Sequence, residues 1–181
     1  MSVAQQQQFS GTYAADPIHS SFNFAVKHIV STFRASFGDV QATLTSGDDG
    51  LVLTGSARVD SISVTTPEQF RAHLLAPDFF DAEAHPTIDF RSTRVDLAED
   101  GTATVDGELT VKGNTVPVTA TGTYTAPIEG LMGEQRGALE LTTTVDRNKL
   151  GLTWNAPLPQ GGNVLADDVE IAVHVELVAQ A

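Results

Sequence analysis

Residues 66–95 read TPEQFRAHLLAPDFFDAEAHPTIDFRSTRV and contain the one strong helix signal of the chain. Thr66 and Gln69 have the spacing of a capping box, and Pro67 suits the first helical position because it has no N–H to leave unsatisfied. Apolar residues at helical spacing follow, namely Phe70, Leu74 and Leu75. Pro77 ends this pattern, so the sequence predicts a short helix.

The second half of the same stretch has the residue pattern of a β-strand. Two adjacent aromatics, Phe79 and Phe80, lie between aspartates, and the residues after Pro86 alternate between apolar and polar. A short helix with aromatics at its end, placed among strands, suggests either a lid on a barrel or a plug in a sandwich.

The rest of the chain alternates with period two, and turn residues separate the runs. The first long run places Phe22, Phe24, Val26 and His28 on one face. A parity break at Gly38-Asp39 suggests a bulge or bend. About eight strands result, joined mostly by hairpins, which favours an all-β, antiparallel up-and-down barrel with one short helix inserted mid-chain. A two-sheet sandwich is the alternative that periodicity leaves open.

The length and charge of the chain limit the classes of function. A chain of 181 residues suits one domain, which we expect over residues 11–181 after a disordered, glutamine-rich tail over residues 1–10. Ten basic against 23 acidic residues give a net charge of −13, which disfavours nucleic acid and anionic membranes as partners. The absence of cysteine excludes disulfides and thiolate metal sites.

The first residues carry neither a basic cluster nor an apolar run, so they predict no signal peptide and no membrane insertion. We therefore expect a cytoplasmic protein, or an exported one if a leader was removed. A homodimer would cover edge strands and an apolar barrel mouth.

Motifs spread along the chain carry a family resemblance. They are Asp16-Pro17-Ile18-His19-Ser20, Phe24-Ala25-Val26-Lys27-His28, His73-Leu74, Asp78-Phe79-Phe80-Asp81, His85-Pro86-Thr87-Ile88, Phe90-Arg91-Ser92-Thr93, Gly107-Glu108-Leu109-Thr110-Val111-Lys112-Gly113, and Val145-Asp146-Arg147 with Gly151 and Leu152. Together they resemble the YceI-like family of polyisoprenoid-binding, lipocalin-like proteins. Two departures, Ala35 in place of the usual glycine and Leu150 in place of a common aromatic, could reshape a cavity.

The resemblance implies a lipocalin-like barrel that binds a long-chain isoprenoid or a similar fatty amphiphile in its interior. It implies binding rather than catalysis, and it brings no cofactor. With the inward parity of the strands, it gives these candidate ligand-binding residues: Phe22, Phe24, Val26, His28, Phe37, Leu74, Phe79, Phe80, Phe90, Arg94, Leu109, Leu141, Arg147 and Trp154. Small residues on the inward parity would leave space between them, namely Gly55, Ala57, Ala103, Gly107, Ala120 and Gly122.

Two arginines are the polar candidates within this set. Arg94 and Arg147 share the inward parity at the far ends of their strands, where a guanidinium at the barrel rim could bind a phosphate. The alternative is an ion pair with one of the 23 carboxylates, of which Asp96 and Asp146 are close in sequence.

The five histidines do not have the spacing of a metal site, and no nucleophile motif is present, so we assign neither a metal nor a catalytic residue. Two other functions stay open. One is a lipid-modifying enzyme, a hydrolase or isomerase, that uses His28 and a carboxylate. The other is a structural protein whose barrel is filled and binds no ligand.

Overall fold

The computed structural model of the chain describes residues 8–181. The strands within this range are β1 (Thr12–Ala15), β2 (Ser21–His28), β3 (Ser31–Phe37), β4 (Val40–Gly47), β5 (Gly50–Arg58), β6 (Thr87–Leu97), β7 (Thr102–Val111), β8 (Asn114–Glu129), β9 (Gln135–Asp146) and β10 (Leu165–Ala179). One α-helix, α1 (Glu68–Leu75), lies between β5 and β6. No helix among the described residues is long and apolar enough to cross a membrane.

The strands form a closed, eight-stranded antiparallel barrel, as the alternation predicts, and not a sandwich. The strands β4 to β10 pair in sequence, and β1 joins β4 to β10. The end of β10, at Leu177–Ala179, pairs with β1, whereas the part from Leu165 to His174 pairs with β2. The strands β1 and β2 continue one another across a break and together form one of the eight strands of the barrel. The strands β3 and β4 form another in the same way. The break between β3 and β4 lies at Gly38-Asp39, where the parity changes.

The helix lies where the sequence predicts it, but it does not begin as predicted. Pro67 is the N-cap residue, and no side chain caps the first turn, so the capping box of Thr66 and Gln69 is not formed. The reason is local: Pro67 has an extended backbone, with ψ at 152°, and its carbonyl accepts the N–H of Phe70 at 3.0 Å. The helix ends at Leu75, two residues before Pro77.

One end of the barrel is packed solid. Its core includes Phe9, Tyr13, Leu139 and Leu177, and the ring of Phe9 lies edge-on to Tyr13 at 5.1 Å between centroids. Phe9 is 0% exposed, so the predicted tail over residues 1–10 is wrong at this position. A buried phenyl ring needs a fixed partner surface, and Gly137 provides one, since a Cβ there would lie 2.6 Å from the ring. The rest of the predicted tail, residues 1–7, lies outside the described residues.

An ion-pair network holds the corner between β1 and β2 against the packed end. Arg136 donates from Nη1 to Asp16 Oδ2 at 2.9 Å and to Glu176 Oε1 at 2.7 Å, and from Nε to Glu134 Oε1 at 2.5 Å. Hydrogen bonds from Arg136, and then from His19, hold the pKa of Asp16 far below its ordinary value. Asp16, His19 and Glu176 also lie close enough to share a cation, but the Arg136 guanidinium already pairs with both carboxylates.

Replacing Phe9 with alanine removes the side chain that fills the packed end. We expect Phe9→Ala to lower the free energy of unfolding by about 3–5 kcal/mol, the usual cost of deleting a buried phenyl ring. Urea denaturation measures this loss. Ile18→Ala is the control, because Ile18 is exposed and its truncation should change stability by less than about 0.5 kcal/mol. Equal midpoints for the two variants would contradict the role assigned to Phe9.

The Asp16 network predicts a pH dependence of stability. Because the folded-state pKa is lowered, the carboxylate stabilises the fold above about pH 4, its ordinary unfolded pKa, and this contribution is lost as the pH falls further. We expect Asp16→Asn to lower the urea midpoint at neutral pH, with a gap to the unsubstituted protein that narrows below about pH 4. Asp48→Asn is the control, since Asp48 is exposed and forms no ion pair within residues 8–181. A gap independent of pH would contradict this prediction.

Candidate functional site

The molecule contains two apolar cavities among the residues that the structure describes. One lies at the end opposite the packed end, and the other lies in the middle of the barrel. The larger, of about 400 Å³, lies beneath α1 between the β2–β3 hairpin and the loop after β9. The smaller, of about 90 Å³, lies deeper in the barrel, between β4–β5 and β8–β10. Phe22, Ile88 and Ile171 line both cavities and form the boundary between them.

Aromatic rings from the β2–β3 hairpin build one wall of the larger cavity. Phe22 pairs with Phe37 across the hairpin, with their rings 5.6 Å apart, and Phe24 lies 5.7 Å from Phe37. Phe80, from the segment after α1, packs edge-on against Phe37 at 5.6 Å. These offset and edge-on contacts are the arrangement that aromatic rings prefer, and they join the lid to the barrel wall.

Hydrogen bonds to backbone carbonyls fasten the lid segment. Arg71 on α1 donates to the carbonyls of Asp60, Ile62 and Val64, which precede the helix. Lys112, in the β7–β8 turn, donates from Nζ to the carbonyl of Pro77 at 2.5 Å. The solvent-exposed residues of the lining are Ser31 and Phe70, so the cavity opens between the β2–β3 turn and the start of α1.

Arg147 is the charged residue of the larger cavity, and it is 4% exposed. Its Nε donates to the carbonyl of Ala166 at 2.8 Å, and its Nη1 donates to those of Leu152 at 2.5 Å and Trp154 at 2.9 Å. Within residues 8–181, Arg147 forms no ion pair with Asp146 or Asp96, and the carboxylate that it approaches is that of Asp167. Arg147 instead anchors the loop after β9, and it does so from the start of a 3-10 turn over Arg147–Leu150.

The remaining nitrogen of that guanidinium is unsatisfied. Nη2 of Arg147 is buried and has no hydrogen-bond partner. Asp167 Oδ1 lies 3.9 Å from it, which is too far to accept a hydrogen bond. Asp167 is also largely solvated, at 71% exposure of its side chain, so it neutralises the buried charge poorly. A buried donor without a hydrogen bond is costly.

The polar groups of the larger cavity are sparse and none is acidic. Besides Arg147, its lining contains His28, His73, Ser31 and Thr32, and no aspartate or glutamate among the described residues. Neither imidazole forms a hydrogen bond within residues 8–181. A hydrolase or isomerase that pairs His28 with a carboxylate therefore lacks the carboxylate in this cavity.

The structure distributes the candidate ligand-binding residues over three places. The larger cavity is lined by Phe22, Phe24, Val26, His28, Phe37, Leu74, Phe79, Phe80, Arg147 and Trp154. The smaller cavity is lined by Phe90, Leu109 and Leu141, together with Phe22. Arg94 lines neither cavity.

The expected inward position of Arg94 is wrong. The register between β6 and β7 shifts between Ser92 and Arg94, which adds one residue to β6 and reverses the parity beyond it. Val95 then points into the core, whereas the side chain of Arg94 is 64% exposed and pairs with Asp96. The ion-pair alternative holds for this arginine.

Of the small inward residues, three line the smaller cavity and none lines the larger one. Gly55, Ala57 and Ala120 line the smaller cavity only, and Ala103 is part of the packed end. The space above Gly107 is occupied, because a Cβ there would lie 2.5 Å from the ring of Phe90. The larger cavity lies instead where α1, the β2–β3 hairpin and the loop after β9 meet the other barrel strands.

Several residues of the larger cavity are absent from the sequence-based set. Phe33 and Phe70 lie 5.7 Å apart at the opening, and the inward parity of Phe33 with Phe37 could have identified the first of them. His73 packs edge-on against Phe79 at 4.9 Å and Trp154 at 5.4 Å. Leu150 and Leu152 lie outside the alternating runs, where only the family motif and its departure at Leu150 draw attention to them, and Leu165 is the first residue of β10.

A closed antiparallel barrel with one packed end, an apolar cavity and a helical lid defines the lipocalin-like class of fold. The profile of the YceI-like domain matches residues 13–177, so the chain belongs to the YceI-like family, as its motifs indicate. A UPF0312 protein of Staphylococcus aureus strain USA300 is 30% identical over 172 residues, which span 91% of this chain and 95% of that protein.

Solved structures share the same fold. BcnA of Burkholderia cenocepacia superposes with a TM-score of 0.73 at 19% identity, over 92% of this chain and 99% of BcnA. The YCEI protein of Campylobacter jejuni gives 0.71 at 19% identity, over 86% and 90% of the two chains. A polyisoprenoid binding domain from Saccharophagus degradans gives 0.68 at 11% identity, over 95% and 100%. At these identities the likeness concerns the fold.

Trp154 provides a direct probe of the larger cavity, because it is the only tryptophan of the chain and lines that cavity. We expect a brominated fatty acid, or another apolar molecule with a heavy-atom quencher, to quench Trp154 emission when it enters. The unbrominated fatty acid should compete and restore the emission. Quenching that the competitor cannot reverse, or its absence when binding is shown by other means, would contradict entry into this cavity.

Proposed function

We propose that this protein binds an isoprenoid or a similar amphiphile, with its apolar tail in the larger cavity and an anionic head group at Arg147. The observation that carries the proposal is the contrast between this apolar, acid-free cavity and a chain of net charge −13, together with the unpartnered Nη2 of Arg147. Binding without catalysis suits a cavity in which no carboxylate accompanies the histidines. The structurally similar Saccharophagus degradans protein is named a polyisoprenoid binding domain, and a polyisoprenoid is a ligand of the same chemical class.

The energetics favour such a ligand. Each methylene group that leaves water for the apolar lining contributes about 0.8 kcal/mol, so a tail of moderate length binds without specific polar contacts. A phosphate or carboxylate oxygen at Nη2 adds a charge-assisted hydrogen bond of about 1.5–3 kcal/mol, because the donor is already desolvated. The tail therefore supplies most of the affinity, and the head group sets the orientation and the preference.

Extraction tests the binding function. Native mass spectrometry of the purified protein, followed by organic extraction, should show a bound amphiphile or the uptake of added farnesyl pyrophosphate and farnesol. A protein that carries no lipid and takes up neither compound would be better described as a filled barrel with a structural role.

The head-group assignment is tested by the ratio of two affinities. We expect the unsubstituted protein to prefer farnesyl pyrophosphate to farnesol by about tenfold or more, the value of one charge-assisted hydrogen bond. Arg147→Met should abolish this preference while retaining the affinity for farnesol. Arg94→Met is the matched control, because it removes the same charge from a solvated site outside both cavities. The ratio is measured on the folded fraction, so a loss of stability from the missing carbonyl contacts does not affect it. Full retention of the preference in Arg147→Met would place the head group elsewhere.

A further inference from the structure

We infer that the barrel selects its ligand by chain length and accepts a tail of about three isoprene units rather than a long polyprenyl chain, an inference that rests on the proposed function. Three observations lead to this limit: the volume of the larger cavity, the boundary beneath it, and the solid packing beyond the smaller cavity.

The volume of the larger cavity sets the first limit. An apolar protein cavity of about 150 Å³ holds one benzene molecule, which has six carbons. On that scale the 400 Å³ of the larger cavity accommodates about sixteen carbon-sized groups. This is close to a farnesyl chain and well below an octaprenyl chain.

The boundary beneath the cavity sets the second limit. Phe22, Ile88 and Ile171 come from β2, β6 and β10, on different parts of the barrel wall, and each of them lines both cavities. Ile88 and Ile171 are buried members of one core cluster, and Phe22 packs against that cluster. A tail that reaches this depth meets the three side chains that lie between the two cavities.

The barrel beyond the boundary offers little additional room. The smaller cavity adds 90 Å³, space for about four more carbon-sized groups on the same scale. Below it lies the packed end, where Phe9, Leu139 and Leu177 are 0% exposed. The excess length of a polyprenyl chain would therefore stay in water outside the opening, where it contributes no burial.

Chain length can be varied directly. The probes are geranyl, farnesyl, geranylgeranyl and octaprenyl pyrophosphate, added below their micelle-forming concentrations and followed by Trp154 emission or native mass spectrometry. Each newly buried methylene should lower Kd by about fourfold. We therefore expect Kd to fall by more than about tenfold from geranyl to farnesyl and then to level off with longer chains.

Opening the boundary should move this limit. Ile171→Ala removes a side chain between the two cavities, and we expect it to make geranylgeranyl pyrophosphate bind more tightly than farnesyl pyrophosphate. Leu139→Ala is the matched control, because it removes the same number of carbons from the packed end without lining either cavity. Phe22→Ala tests the same boundary from another strand if Ile171→Ala fails to fold.

The outcomes separate this inference from the function on which it rests. A plateau at farnesyl that moves to longer chains in Ile171→Ala, but not in Leu139→Ala, supports the inference. Affinity that keeps rising to octaprenyl pyrophosphate in the unsubstituted protein, or a plateau that the boundary variants do not move, overturns it and leaves lipid binding intact. Failure of every chain length to bind overturns the proposed function itself.

Discussion

The closure of the sheet along β10 is the constraint on which the structure depends. One edge of this strand pairs with β1 near the packed end and with β2 beneath the lid, and the pairing with β1 closes the sheet into a barrel. Because β1 and β2 divide this edge between them, the chain leaves the strand after Ala15 and returns to it at Ser21. The Arg136 network holds Asp16 at that break, and β2 and β3 provide part of the wall of the larger cavity.

The larger cavity differs in charge from the rest of this acidic protein. Its lining excludes every carboxylate of the described residues and contains one guanidinium, which the loop after β9 holds by three carbonyl contacts. Those contacts hold the buried guanidinium and leave Nη2 without a hydrogen bond, and the proposed function assigns this donor to the head group of the ligand. Arg147 thus both stabilises the loop and, in the proposed function, binds the head group. For this reason Arg147→Met is judged by the ratio of its affinities for farnesyl pyrophosphate and farnesol, which does not depend on stability.

Particular residues show how far the sequence predicts this site. The alternation of β2 places Phe22, Phe24, Val26 and His28 on one face, and the structure brings all four into the larger cavity. The same rule fails at Arg94, because one inserted residue reverses a period of two and no composition signal marks the insertion. It also fails for Phe9, which is isolated from any alternating run and is buried only because Gly137 and Tyr13 lie beside it. The capping box predicted at Thr66 does not form, because the helix begins after Pro67 and no side chain caps its first turn.

The sequence by itself determined the family, the antiparallel barrel, the position of the single described helix and most of the apolar residues that face inward, because these follow from local periodicity, turn residues and motifs. Only the tertiary structure decided where the interior is empty. Gly55, Ala57 and Ala120 are small, yet most of the volume lies elsewhere, under α1 and beside the hairpin. A cavity is what remains when segments distant in the chain pack against one another, so its position and depth depend on all of them together and cannot be deduced from any one stretch.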